Sequence, residues 1–344
     1  MFELLKVLTE LPGPAGREKL VQDYLISQLS TYCENYTLDP IGNLLFKVQS
    51  QKDAPKIAVV AHSDEIGFMV DSITKDGFLH IIPNYQTKQP DTRLLPFHDA
   101  LILTDGYEKI PGQFIIETGH KVTKEARKTA PELSNVLVDV GVNSLEEVQS
   151  MGIEIGCPVL WDPETKKIGN VVKGKAMDDR AGLALIIELA KFLSSEASSK
   201  AEIYLAATTQ EELGIVGVHP LARNNQFEKV LILEICPTQD IFPTTKMGAN
   251  IVQLGAGPVV LLKDGRMNYS HALTMQMISV AKEQGIEYQR AIHTGGTDGY
   301  AFLQTGSQVS LICWPTRYAH SPGETISLND LKAVRELLKH FLSN

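Results

Sequence analysis

Four apolar runs constrain the fold of this chain more than any other feature: Ile57 to Ala61, Ile203 to Thr209, Val230 to Ile235 and Val309 to Trp314. Runs this short without polar alternation suit strands buried on both faces, as in a parallel sheet beneath helices. After Gly174 they alternate with helical patterns. Leu183, Ile186, Ile187, Ala190 and Leu193 mark one helix, and Leu331, Val334, Leu338 and Phe341 mark another. Two shorter helices are predicted near the start, on Leu4, Leu5, Leu8 and Leu11 and on Leu20, Tyr24, Leu25 and Leu29, with Pro12-Gly13-Pro14 between them. The reading is an α/β fold with a mostly parallel sheet covered by helices on both faces.

The middle of the chain has a different texture. From Gly67 to Lys173, short β-rich runs (78–82, 101–104, 113–116 and 136–140) alternate with Gly, Pro, Asn and Asp, and only Ser144 to Met151 reads as helical. Regular spacing of short strands predicts a small β-barrel or sandwich. In a chain of 344 residues this gives residues 1–66 and 174–344 as one α/β domain and 67–173 as a β-rich insert.

Composition excludes more than it selects. A net charge of -9 argues against nucleic-acid and acidic-membrane partners, which need clustered Lys and Arg. No apolar run approaches the ~18 residues of a membrane helix. The four cysteines, at 33, 157, 236 and 313, form no CxxC pair and suit reduced thiols. With no basic-then-apolar leader at the start, a cytoplasmic location is expected.

Ligands of open α/β sheets bind beyond the carboxyl ends of the strands. Those positions hold His62, Ser63, Asp64 and Glu65; Gln210, Glu211 and Glu212; Glu234; and Tyr318, Ala319 and His320, with Asp178-Asp179-Arg180 before the long helix. Singly, most have ordinary explanations. His62 and Asp64 could be a hydrogen-bonded pair, the Asp178 stretch a helix cap, Glu211-Glu212 solvated acids, and Thr294 to Gly299 a turn with a cap. Glu234 resists, because a carboxylate in an apolar run wants a partner or a metal. Together, imidazoles and carboxylates on one rim are what a pair of divalent cations roughly 3.5–4 Å apart would need. The other histidines are expected to be structural or at the surface.

The motifs Ala61-His62-Ser63-Asp64-Glu65-Ile66-Gly67, Met177-Asp178-Asp179-Arg180-Ala181-Gly182, Gln210-Glu211-Glu212-Leu213-Gly214, Gly295-Gly296-Thr297-Asp298 and Arg317 to Glu324 extend over nearly the whole chain. In that order they resemble the tetrahedral glutamyl-aminopeptidase family, whose members are often labelled cellulase or endoglucanase M. The resemblance implies a metal-dependent aminopeptidase with two zinc or cobalt ions. His62 and Glu234 would serve one ion, Glu212 and His320 the other, and Asp178 would bridge, preferred to Asp179 because it precedes Gly182 by four residues. Asp64 would orient His62, and Glu211 would be the general base. The Asp178–Asp179 peptide would be cis, and peptides with a free amino terminus would be the substrates. A dodecameric assembly, with the insert as contact domain, is also implied. Glu234 departs from the family pattern, which usually has Asp there. Two other readings stay open: an N-deacylase or carboxypeptidase on the same core, and a metal-binding scaffold without catalysis. Cellulase activity suits the sequence badly, since glycosidases use two carboxylates and no metal cluster.

Overall fold

Along the strand Lys56–His62, successive side chains enter different cores. Ile57, Val59 and Ala61 pack into one hydrophobic cluster, and Ala58 and Val60 into another. Strand side chains alternate, so a run without polar positions must be covered on both sides. The strands Glu202–Thr208, Lys229–Pro237 and Gln308–Arg317 divide their side chains in the same way. The first core also takes the buried faces of helices Phe2–Glu10, Lys19–Leu29, Met177–Ser195, His271–Glu283 and Leu328–Leu342. Helices Val218–Asn224 and Gly299–Gln304 contribute to the second. The computed structural model describes residues 1–49, 53–86, 90–119, 122–195, 199–238, 240–241 and 251–343.

The four apolar strands pair in parallel at the centre of an eleven-stranded sheet, in the order 202–208, 56–62, 229–237, 308–317. Its flanks are antiparallel. Leu44–Gln49 and then Asn35–Leu38 extend one side, and Glu324–Ser327, Val171–Gly174 and Lys166–Ile168 extend the other. Val259–Lys263 also pairs antiparallel with Gln308–Arg317 and parallel with Gln289–Ile292.

Local chemistry sets the helix ends. Ser327 Oγ accepts from the amides of Asn329 and Asp330, 3.2 and 3.4 Å away, and so caps Leu328–Leu342. Asp330 in the first turn and Lys339 and His340 in the last turn complement the helix dipole. Among the described residues, no helix is long and apolar enough to cross a membrane.

The chain divides into two compact units, Met1–Glu65 with Thr165–Asn344, and Ile66–Glu164. The second is a closed antiparallel barrel built from Phe68–Ile73, Leu79–Pro83, Leu137–Asp139, Lys109–Ile115, Asp99–Leu103 and Pro158–Trp161. Its interior is seeded by Phe68, Phe114 and Trp161, with Phe68 meeting the other two rings edge-on at 5.9 and 5.4 Å. The boundary expected at Gly174 is corrected. Residues 166–168 and 171–174 form a hairpin that pairs onto Glu324–Ser327 in the large sheet. Texture could not separate them from the barrel, because a short polar hairpin reads alike in either place.

The long helix Met177–Ser195 approaches the central strands closely at Gly182. A Cβ there would lie 2.9 Å from Ala61 Cβ and 2.5 Å from Asp179 Oδ1. Gly182→Ala should therefore force the helix outward. The expected cost is about 1–3 kcal/mol, the range for overpacking a tight contact, read as a lower thermal midpoint against wild type.

Candidate metal centre

Because the central strands are parallel, their carboxyl ends share one edge of the sheet. His62 is the last residue of its strand, Glu234 lies within Lys229–Pro237, and Glu211 and Glu212 follow Glu202–Thr208. His320 follows Gln308–Arg317, and Asp178 opens the long helix. Asp178 is the meeting point. Its Oδ1 lies 2.9 Å from His62 Nε2, and its Oδ2 lies 3.3 Å from His320 Nε2. Glu234 Oε2 is 3.8 Å from His62 Nε2, and Glu212 Oε1 is 3.4 Å from His320 Nε2. The side chains thus fall into two groups able to hold a cation, His62–Asp178–Glu234 and Asp178–Glu212–His320, with Asp178 in both.

Glu211 stands apart from these groups. Among the described residues, nothing hydrogen-bonds or ion-pairs with its carboxylate. Burial, reinforced by Glu212, Asp298 and Asp64, drives that carboxyl well above the usual range.

The backbone carrying these groups is unusual. Ala176, Gln210, Tyr318 and His320 have φ of 52, 52, 59 and 59°, in the left-handed region that residues with a Cβ enter at a cost. The Asp178–Asp179 peptide is cis. Acidic side chains hold these segments by their amides. Asp64 accepts from Glu211 N and Glu212 N, each at 3.0 Å, and Asp179 Oδ2 accepts from His62 N at 3.0 Å. Glu324 accepts from Asp178 N at 3.1 Å and from His320 N at 2.7 Å. Asp64 Oδ1 is also 3.4 Å from His62 Nδ1, which otherwise lacks a hydrogen-bond partner.

Sequence patterns did not reveal the tethering by Asp179 and Glu324. Their only signal was membership of the motifs that contain Asp178 and His320. The stretch Thr294 to Gly299 is no simple cap. Asp298 makes no side-chain cap bond to its helix and instead accepts from Thr208 Oγ1 beneath the cluster.

The electrostatics call for positive charge. Burial raises the carboxyls of Glu234, Asp179 and Glu212, and acidic neighbours add to the effect. In Asp178, burial is outweighed by hydrogen bonds from His320 and His62, which hold the carboxyl low. Two imidazoles face too many carboxylates to balance them. A nitrogen-and-oxygen donor set in this state fits borderline divalent cations.

A mixed α/β sheet with a carboxylate–imidazole cluster at its rim and an antiparallel barrel defines a class for which the comparisons supply a name. The profile described as M42 glutamyl aminopeptidase matches residues 42–337. FrvX of Escherichia coli (strain K12) is 31% identical, with 99% of this chain and 95% of FrvX covered. Aminopeptidase APDkam598 of the archaeon Desulfurococcus kamchatkensis superposes with a TM-score of 0.92 at 30% identity, covering 100% of this chain and 94% of the other. The Pyrococcus horikoshii TET1 peptidase has a TM-score of 0.87 at 27% identity over 99% of this chain and 98% of its own. It has been solved as a dodecamer and can assemble into a tetrahedron or a large octahedral shell. The class is that of peptide hydrolases of the aminopeptidase type. Within it, this chain belongs to the M42 glutamyl aminopeptidase family.

Two buried acids that belong to neither ligand group set a pH dependence. Burial pushes Asp298 up to about 7 and, with help from the charge on Asp64, Glu18 up to about 7. The folded protein therefore keeps protons that the unfolded chain releases near pH 4, so the two groups favour folding less as pH rises from about 4 to 7. At ~1.4 kcal/mol per pKa unit, each shift corresponds to a loss on the order of 4 kcal/mol. The thermal midpoint of metal-stripped protein should fall across this window, and Asp298→Asn should flatten the slope.

Proposed function

We propose that this chain is a dinuclear-metal aminopeptidase that removes residues from the free amino ends of peptides. His62 and Glu234 would hold one divalent cation, zinc or cobalt, and Glu212 and His320 the other, with Asp178 shared. Bound there, the ions would supply Lewis acidity toward the scissile carbonyl and lower the pKa of water. The observation that carries this reading is Asp178, whose two oxygens face His62 at 2.9 Å and His320 at 3.3 Å. Two separate ligand sets joined by one carboxylate are what a paired site requires.

Glu211 acts as general base in this reading. It takes a proton from the attacking water and returns it to the departing amine. The lack of any partner for its carboxylate among the described residues supports this role, as does a pKa raised by burial. Asp64 holds the loop of Glu211 and Glu212 by its amides and stands beside His62, so it aligns base and ligand together. Glu234 can ligate as the usual Asp does, reaching further by one methylene. Self-assembly into a dodecamer is part of the proposal, supported by the assemblies of TET1, as is a cytoplasmic location.

An N-deacylase would act on an N-blocked substrate and not on its free-amine twin, whereas an aminopeptidase would do the opposite, so the ratio of the two rates separates the readings. A scaffold would cleave neither. The decisive experiment compares Glu211→Gln with Glu212→Gln. Glu211→Gln should keep metal near wild-type content while turnover falls by about 10²–10⁴-fold, the usual worth of a general base. Glu212→Gln should lose metal, because a charged ligand becomes neutral. The reverse pattern inverts the two roles, and full activity in Glu211→Gln refutes the mechanism.

A further inference from the structure

Four successive amides after the strand Glu202–Thr208 each donate to a side chain from elsewhere in the chain. Asn43 Oδ1 takes Thr209 N at 3.0 Å, and Glu18 Oε1 takes Gln210 N at 3.1 Å. Asp64 takes the amides of Glu211 and Glu212. Gln210 has φ of 52°, a conformation that must be imposed from outside. Glu18 reaches it from the start of the chain, and the same oxygen accepts from Gly16 N at 2.8 Å.

Glu18 directly precedes the helix Lys19–Leu29, and its side chain makes no cap bond to that helix. The carboxylate is buried, 2% exposed, and is turned toward the loop instead. Its own segment is firmly held. Gly13 N donates to Glu65 Oε1 at 3.0 Å, Lys175 Nζ lies 2.5 Å from Glu65 Oε2, and Arg180 Nη1 donates to Leu8 O and Leu11 O at 2.8 and 2.9 Å.

We infer that Glu18 is a positioning residue for Glu211: by holding the Gln210 amide it fixes the left-handed residue just before the base, and with it the direction in which the base projects. The inference rests on the reading of Glu211 as the base. Glu18 touches neither substrate nor ligand in this scheme, so its loss should lower kcat and leave KM and metal content alone. Burial pushes its carboxyl up to about 7, so a neutral amide is tolerated in the same place.

The test measures kcat, KM and metal content of the metal-loaded full chain with an aminoacyl chromogenic substrate. Glu18→Asp, a methylene too short to reach Gln210, should lose about 10- to 100-fold in kcat, the scale of a small misplacement of a catalytic group. Glu18→Ala should do the same, and if it does not fold the Asp and Gln variants decide. Glu18→Gln keeps an oxygen able to accept both amides and should restore most of the rate. The inference is overturned if Glu18→Asp retains wild-type kcat, if Glu18→Gln falls as far as Glu18→Asp, or if metal is lost in step with rate. Glu211→Gln, run alongside, separates the failures. If it is active, the reading of the base has failed. If it is inactive while Glu18→Asp is normal, only the role of Glu18 has.

Discussion

The structure depends on carboxylates that bind backbone amides rather than cations. Asp64, Asp179 and Glu324 together accept from the amides of Glu211, Glu212, His62, Asp178 and His320, all at 2.7–3.1 Å. Each such bond supplies a partner to a buried amide and to a buried acid at once, and leaving either unpaired would cost about 1–3 kcal/mol. All but the bond from His320 to Glu324 run between segments far apart in sequence, so they hold the rim as a unit. Left-handed residues such as Gln210 and His320 persist there because their neighbours over-determine them.

The same arrangement concentrates negative charge. Acids hold amides, other acids face the two imidazoles, and burial raises most of them. A cluster with so little internal compensation would be costly to fold as a purely structural device. The cost is understandable if the acids are arranged for bound cations, whose charge would draw the ligands together.

Much of this was legible in the sequence where one physical cause acts alone. Apolar runs such as 57–61 gave the parallel centre because burial on both faces leaves no other pattern. His62, Asp178, Glu212, Glu234 and His320 could be proposed together because strand ends converge on one rim, and the structure does bring them into two adjoining groups. The antiparallel flanks were harder. The strand Lys166–Ile168 is exposed at every position, so its sequence carries no sign of the sheet it joins. The tethering roles of Glu18, Asp179 and Glu324 were not legible either. A carboxylate that binds a distant amide leaves no periodicity or spacing behind, because its partner is backbone and could belong to any residue.

The three terminal strands of the large sheet bear on how this protein behaves in concentrated solution. Asn35–Leu38 and Gln289–Ile292 span four residues each and Lys166–Ile168 three; the last begins with two lysines, and Gln289–Ile292 carries Arg290. Free strand edges template the pairing of further chains, and short, charged edges blunt that tendency. The barrel closes on itself and adds no edge of its own. Stray strand pairing therefore has little purchase, even in a chain rich in β-structure.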